Sequence, residues 1–589
     1  RSHATNLLQF HPCPPFDSSA KLDAVRGGGT MESTSPHKRL SPEAEDSPSK
    51  RMRGEDQPEG LNLFQRVLRE SGVTFDARGP LLTASGARVR YHLDRALQCN
   101  FAHSPDFLDG LDEYLKDPEQ LKRSLLPIRA EGNVKNSTAD SLVKILLGVM
   151  EIQPKLVELL FDKIPEYFEG EDENVRVSDS VPRLILNQLK WIEAILGDSN
   201  VTDRLLQLIL CAPLYIKREA IGVLPEIVID EQHDGVVETL KEVLDSDPQC
   251  TNAVLDALSN LVLEASLLEK VADKAMDLLR SASSADLPMV VRYLVQSTTP
   301  EMADRTIEAL RQNLNFICEP RSSQPARGQQ QGSTPEGEVL IIEALRSGLK
   351  FRKPLVTSLL NAIRKVDSAE AHCPFDVWSL LLVRSIGDQK RQNEVDKLIK
   401  QKVSRNLFAP GFLRDSIQHH TEALRPLFQQ LCLVADGLLR ANDCGLAAYG
   451  IEMYQVIFEV FPDDFSRQEI LGYLTAHTGG GSDFEVDGAL DVLGSLARVH
   501  RTALRPFVVY VKGVLDYLDN LKHHQIRKLF TILAALSIAS GADDARKQGN
   551  ARLDDEVHIH IRKLLSNPRV KYIQHGIIGA VSAVVALST

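Results

Sequence analysis

Catalysis needs particular side chains at particular spacings, and this 589-residue chain supplies few of them. A phosphate-cradling loop would read GxxxxGK[ST], or GxGxxG directly after a strand. Neither arrangement is present, and Gly479-Gly480-Gly481 falls between two helical patterns, where a loop is expected. Histidines occur as the adjacent pairs His419-His420 and His523-His524 and as His558 with His560. Adjacent residues project about 100° apart on a helix and residues two apart face different sides, so these make poor chelates. HExxH, GxSxG and kinase-type motifs are absent. The eight cysteines (Cys13, Cys99, Cys211, Cys250, Cys318, Cys373, Cys432 and Cys444) contain no CxxC pair. They are expected to be small buried hydrophobes in a reducing compartment. The residues therefore predict no enzyme, no catalytic residue, no metal and no cofactor.

Positive charge is the more informative pattern. Lys38-Arg39, a spacer, and Lys50-Arg51-Met52-Arg53 have the two-cluster layout of a bipartite nuclear import signal, which predicts a nuclear protein. Ser35, Ser41 and Ser47 each precede a proline and are candidate phosphorylation sites, where added negative charge would oppose the basic clusters. An ordinary charged tail is the alternative. Lys390, Arg391, Lys397 and Lys400, with Lys402 and Arg405, gather on one predicted helix; Arg562, Lys563 and Arg569 gather near the end. Such runs are either solvated faces or contacts to a DNA backbone, which need no sequence readout. With a net charge of −12, any nucleic-acid contact is expected from local patches of this kind or from a partner.

The elements that would position these residues are helices. Apolar residues make up 43% and aromatics only 6%, a leucine-, isoleucine- and valine-rich composition suited to helix-on-helix packing. Leu142, Ile145, Leu146 and Val149 fall at i, i+3, i+4 and i+7, and Leu156, Leu159, Leu160 and Ile164 follow after Pro154. Ile185, Leu189, Ile192 and Leu196 form a third stripe closed by Gly197. Hairpins are expected to begin near residues 139, 182, 215, 250 and 286, a spacing close to the ~40-residue period of two-helix HEAT and armadillo units. No sustained strict alternation is present, so no sheet is expected. The fold class is all-α: an α-solenoid of HEAT/armadillo-like antiparallel helix pairs with a disordered N-terminal tail.

Organisation follows from composition. Residues 1–60 are expected to be a disordered tail, with 1–30 a non-native leader before Met31. Residues 61–318 form a first helical segment, 319–337 a flexible linker and 338–589 a second helical segment. Ser540–Asp555 is expected to be a loop, and a last helix to open at Ser566-Asn567-Pro568 and run to about Leu587. Its apolar, uncapped end suggests a solenoid that continues. The longest apolar run, Ile577 to Leu587, falls short of a membrane span, and no membrane association is expected. On periodicity alone, a HEAT-type nuclear transport receptor and the helical arm of a larger kinase remain alternatives.

Several stretches, in order, carry a resemblance: LVKILLGVMEIQPKLVELLFDKIPEYF (142–168), PRLILNQLKW (182–191), DLPMVVRYL (286–294), ALDVL (489–493), VKGVLDYLDNLKHHQIRKLF (511–530) and GIIGAV (576–581). Together they resemble the N-terminal portion of the Fanconi anaemia group D2 family. The resemblance implies a nuclear scaffold in DNA interstrand crosslink repair, paired as a heterodimer with the Fanconi anaemia group I protein. It implies a ubiquitin ligase complex that attaches one ubiquitin, after which the pair clamps double-stranded DNA. The family's acceptor lysine follows a Lys-Tyr pair and precedes a Gly-Ile-Ile-Gly run. Lys571-Tyr572 and Gly576–Gly579 match these, but Ile573 holds the acceptor position. Either Lys571, about 200° away around a helix, is the acceptor, or the modification is lost, or the sequence differs locally from the natural one. The family's sliding-clamp-binding motif falls on Gln525–Phe530, where Lys528 replaces an aliphatic anchor and Leu529-Phe530 reads as core.

Overall fold

The computed structural model describes residues 62–99, 103–130, 140–169, 176, 179–190, 200–314, 335–418, 420–537 and 549–588. Its first elements include a sheet, which corrects the expectation of none. α1 (Leu63–Ser71) ends at Gly72, whose φ of +104° suits a residue without a Cβ. β1 (Val73–Asp76) then pairs antiparallel with β2 (Gly79–Leu82), and β2 pairs in parallel with β3 (Arg129–Ala130). Strands this short are too brief to register as an alternation in sequence. The hairpin turn is held by the Arg78 amide, which donates to Asp76 Oδ1 at 2.7 Å, and by Arg129, which pairs with Asp76 at 2.9 Å. α2 (Gly86–Cys99), α3 (His103–Leu115) and α4 (Pro118–Leu125) complete this region, where Phe64, Phe75, Phe107 and Tyr114 stack edge-on or tilted.

From residue 142 onward the helices alternate between two layers. One contains α5 (Leu142–Leu147), α7 (Val181–Leu189), α9 (Leu214–Ile227), α11 (Thr251–Asn260), α13 (Leu287–Ser297), α15 (Pro335–Phe351) and α17 (Pro374–Ile386). The other contains α6 (Gln153–Lys163), α8 (Asn200–Cys211), α10 (His233–Ser246), α12 (Ala265–Ser281), α14 (Ala303–Asn313), α16 (Lys353–Lys365) and α18 (Gln389–Ser404). The five expected hairpin starts fall within three residues of α5, α7, α9, α11 and α13. α7 packs on α9, α9 on α11, α11 on α13, α13 on α15 and α15 on α17, the nearest-neighbour stacking of a solenoid. Where α13 meets α15, a Cβ on Gly348 would lie 2.5 Å from Val295 Cβ, so the approach depends on glycine. The expected 319–337 linker lies largely outside the described residues, and its last three residues belong to α15. The part of the third stripe from Ile192 to Gly197 also lies outside them.

The stack continues through α19 (Pro410–Gln418), α20 (Thr421–Leu424), α21 (Phe428–Leu439), α22 (Cys444–Val460), α23 (Asp464–Gly480), α24 (Asp483–Val499), α25 (Arg501–Leu504), α26 (Val508–Gly513), α27 (His523–Ser537), α28 (Gly549–Leu565) and α29 (Val570–Ser588). A repeat is visible here that helical periodicity alone did not reveal. HTEALRPL from His420 and HRTALRPF from His500 each form a four-residue helix, a 3-10 turn containing the proline, and a further helix. Leu424 and Leu504 are buried at equivalent places. The layer runs on as α22 on α24, α24 on α27 and α27 on α29.

Three boundaries differ from expectation. The glycine tract is not a separate loop: α23 extends to Gly480, and Gly481 makes the turn into α24. A Cβ on Gly481 would lie 2.4 Å from the His477 carbonyl oxygen, and the capping box Ser482–Glu485 restarts the helix at once. α28 begins at Gly549, inside the segment expected to be a loop, because Val557, Ile561 and Leu564 anchor one stripe from which it extends backward. α29 begins at Val570, two residues after Pro568, with the Arg569 amide donating to Asn567 Oδ1.

Candidate functional site

The acceptor-like position lies in the first turns of α29. Ile573 is half-buried there, and its aliphatic side chain has no nucleophile. Lys571 is on a different side, 52% exposed, and its Nζ donates to the Asp519 carbonyl at 3.0 Å and to Asp519 Oδ1 at 3.2 Å. Tyr572 donates its hydroxyl to Asp519 Oδ2 at 2.9 Å. These two donors, Tyr572 foremost, hold the Asp519 carboxyl below the usual carboxylate range. His575 is buried behind them, and its Nδ1 has no hydrogen-bond partner among the described residues; burial, and then Lys571 and His523, depress its pKa and favour the neutral imidazole. Val570, Ile577, Val581, Val584 and Val585 are all at least 50% exposed and give α29 an open apolar face beside Ile573. Asp519 is not marked by any sequence pattern, whereas the apolar excess of the last helix is: the valines of α29 outnumber those one helical stripe can bury.

The basic patch on α18 divides in two. Lys390 and Lys397, seven residues apart, are exposed on one stripe, with Lys400 half-buried at its edge. Arg391 is half-buried and pairs with Glu394 at 3.2 Å. Lys402 is 1% exposed and leaves the patch altogether: its Nζ donates to the backbone carbonyls of Arg364 and Val366 at the end of α16. Burial lowers its pKa. Its place on the Val395–Leu398 stripe was the readable sign. Arg405 is exposed, within 3.9 Å of Asp367. Arg562 and Lys563 are exposed on α28, and Arg569 is exposed before α29. α18 packs on α17, α21 and α22, whereas α28 packs on α27 and α29, so the two patches occupy separate stretches of the stack. Lys38, Arg39, Lys50, Arg51, Arg53, Ser35, Ser41 and Ser47 lie outside the described residues.

Several buried titratable groups tie helices together. Asp376, fully buried, receives His372 Nδ1 at 2.7 Å and Arg311 Nε at 2.8 Å. Burial alone would raise its pKa, but these hydrogen bonds outweigh it and hold the carboxyl low. His477 lies 2.9 Å from Asp436 and 3.2 Å from Glu485, joining α21, α23 and α24. His420 contacts Glu338 at 3.0 Å. Cys250 and Cys432 are buried as expected, with the Cys432 thiol pushed up to about 12 by burial; Cys211 and Cys444 are instead exposed. Gln525, Ile526, Leu529 and Phe530 of the clamp-motif segment are buried in α27, whereas Arg527 is exposed and Lys528 half-buried. Among the described residues no three histidine, cysteine or carboxylate side chains are grouped to hold a metal. No helix among them is long and apolar enough to cross a membrane.

Residues 29–589 match the family described as Fanconi anaemia protein FancD2 nuclease. The chain belongs to the FancD2 family. The Fanconi anemia group D2 protein homolog of Mus musculus is 32% identical to it over 548 residues, 89% of this chain and 37% of the relative. The Gallus gallus protein is 30% identical over 549 residues with the same coverage. The FancD2-family chain thus spans about 37% of the length of these relatives. Among solved structures it is similar to yeast importin-beta (12% identity, TM-score 0.29, 85% of this chain and 66% of that one). It is also similar to karyopherin Kap121p bound to the SUMO protease Ulp1p (14%, TM-score 0.31, 85% and 51%). The solenoid assignment stands on the chain's own stacking contacts. Family membership replaces the transport-receptor and kinase-arm alternatives.

Proposed function

We propose that this FancD2-family chain is a non-catalytic nuclear scaffold in interstrand crosslink repair. It pairs with the Fanconi anaemia group I protein, receives one ubiquitin from a ligase complex and, so modified, clamps double-stranded DNA. The observation that carries the reading is the FancD2-family match over residues 29–589, on a chain whose helices stack as a solenoid. Lys571 is the candidate acceptor: it is half exposed, and a solvent-exposed ion pair such as that with Asp519 is weak enough to open. DNA contact is assigned to Lys390, Lys397 and Lys400 on α18 and to Arg562, Lys563 and Arg569 near α29; Arg391 is the weakest member because Glu394 engages it. Import is assigned to Lys38, Arg39, Lys50, Arg51 and Arg53, tuned by phosphorylation at Ser35, Ser41 and Ser47.

Reconstitution with the ligase complex and the group I protein tests the reading. One ubiquitin adduct on Lys571, lost in Lys571→Arg, is expected. Adducts only on other lysines, or none, overturn the acceptor assignment, and failure to co-purify with the group I protein at moderate salt overturns the pairing. Lys390→Glu with Lys397→Glu should weaken duplex binding and flatten its salt dependence by roughly one unit of slope for each phosphate no longer neutralised. A metal-supplemented nuclease assay that degrades DNA would overturn the non-catalytic assignment.

A further inference from the structure

Between α24 and α27 the surface opens into a trough of about 410 Å³. Its floor is apolar: Leu490, Ala497 and Ile532 are at most 3% exposed. Gly494 deepens it, since a Cβ there would meet nothing closer than Ile532 Cγ1 at 3.7 Å. Two helices of one layer usually close such a gap with larger side chains, and here the gap stays open to solvent.

The charges around the trough are unbalanced in one direction. Lys528 is neutralised by Asp491 at 2.7 Å and Asp487 at 3.3 Å, and His524 also contacts Asp487 at 3.0 Å. The Arg527 guanidinium, exposed on α27, has no ion-pair or hydrogen-bond partner among the described residues. Arg498, exposed on α24, reaches only the Gly494 carbonyl at 3.2 Å. Every carboxylate lining the trough is already engaged, while both guanidinium groups remain available for a carboxylate. Arg498 stands one turn beyond Gly494, which faces Ile532, and Arg527 stands more than one turn before Ile532. The two cations therefore flank the apolar floor near opposite ends.

We propose that this trough docks an acidic amphipathic helix from a partner protein, apolar residues on the floor and carboxylates on Arg498 and Arg527. Helix-in-groove recognition of this kind takes its affinity from the buried apolar anchors and its orientation from the flanking charges. The surface is distinct from the α29 face and does not depend on the assignment made there.

The test uses the full chain and a fluorescent helical peptide about 18 residues long, leucines at i, i+4, i+7 and i+11 flanked by glutamates. Saturable binding is expected, weakened about tenfold or more in the Arg498→Glu, Arg527→Glu double variant. A matching peptide with lysine for glutamate should prefer that double variant. Both substitutions are at exposed positions, so circular dichroism should keep its helical signal and the melting temperature should fall only slightly, since Arg498 lies in the last turn of α24. Gly494→Leu, which fills the trough without altering charge, should abolish binding independently. Peptide binding that survives both the charge reversal and Gly494→Leu overturns the proposal. So does Arg-dependent binding of a duplex oligonucleotide with no saturable peptide binding. Self-association abolished by the same variants, in place of peptide binding, would overturn it in favour of a second copy of this chain.

Discussion

Lys402 and Asp376 show how far a charged residue's role depends on what surrounds it. Asp376 accepts from both Arg311 and His372 in a site without solvent, so removing its charge leaves two donors facing each other. Asp376→Asn should destabilise the fold by about 3–5 kcal/mol at neutral pH, read from urea denaturation. The pH dependence has a definite sign. The folded-state pKa of Asp376 is depressed, so its contribution is present above the ordinary aspartate value of about 3.9 and is lost as pH falls through the lower folded value. The wild type should therefore lose more stability between neutral and strongly acidic pH than Asp376→Asn does. Equal losses would show that the triad contributes nothing. Lys402→Met would strand the Arg364 and Val366 carbonyls and cost about 1–3 kcal/mol, whereas Lys397→Ala on the solvent side of the same helix should stay within about 0.5 kcal/mol. Thermal melts of the two variants distinguish these positions directly.

Helices here are set by close approaches as much as by their apolar stripes. Gly481 ends α23 under the His477 carbonyl, and a Cβ there would collide with backbone that cannot swing away. Gly481→Ala should cost on the order of 1–3 kcal/mol and shift His477 off its two carboxylates. Its signature would be a changed chemical shift of the His477 ring signals at fixed pH along with the lower melting temperature. Unchanged ring signals would mean that the turn relaxes without moving the helix. The repeated HTEALRPL and HRTALRPF segments make the same point constructively. In both, a proline that cannot continue the helix produces a 3-10 turn, and the leucine before the arginine is buried to fix the direction of the next helix.

At the scale of the molecule, stacking of neighbours only makes stability regional. Leu431 on α21 is fully buried, and Leu431→Ala should cost about 2–5 kcal/mol. In a globular core that loss would be shared; in a solenoid it stays near the mutated unit. Hydrogen exchange should accelerate across α19 to α24 and stay unchanged across α9 to α13. Acceleration spread evenly over both stretches would contradict the nearest-neighbour picture. The α18 patch lies on one stretch of the stack, and the trough, the α28 patch and the α29 face lie together at another, where α24, α27, α28 and α29 pack in succession.

Periodicity determined the helical class and the starts of α5, α7, α9, α11 and α13, because a helix must repeat its apolar face about every 3.6 residues to be buried at all. Family-like stretches determined the register of Lys571, Ile573 and the Gly576–Gly579 run. Tertiary structure decided which of those residues are available. It placed Lys571 against Asp519, took Lys402 into the core, buried Gln525, Ile526, Leu529 and Phe530, and formed β1–β3 from segments too short to alternate visibly. It also opened the trough between Arg498 and Arg527. These outcomes depend on residues distant in sequence becoming neighbours, and a local pattern records which face of a helix is buried without recording what lies opposite it.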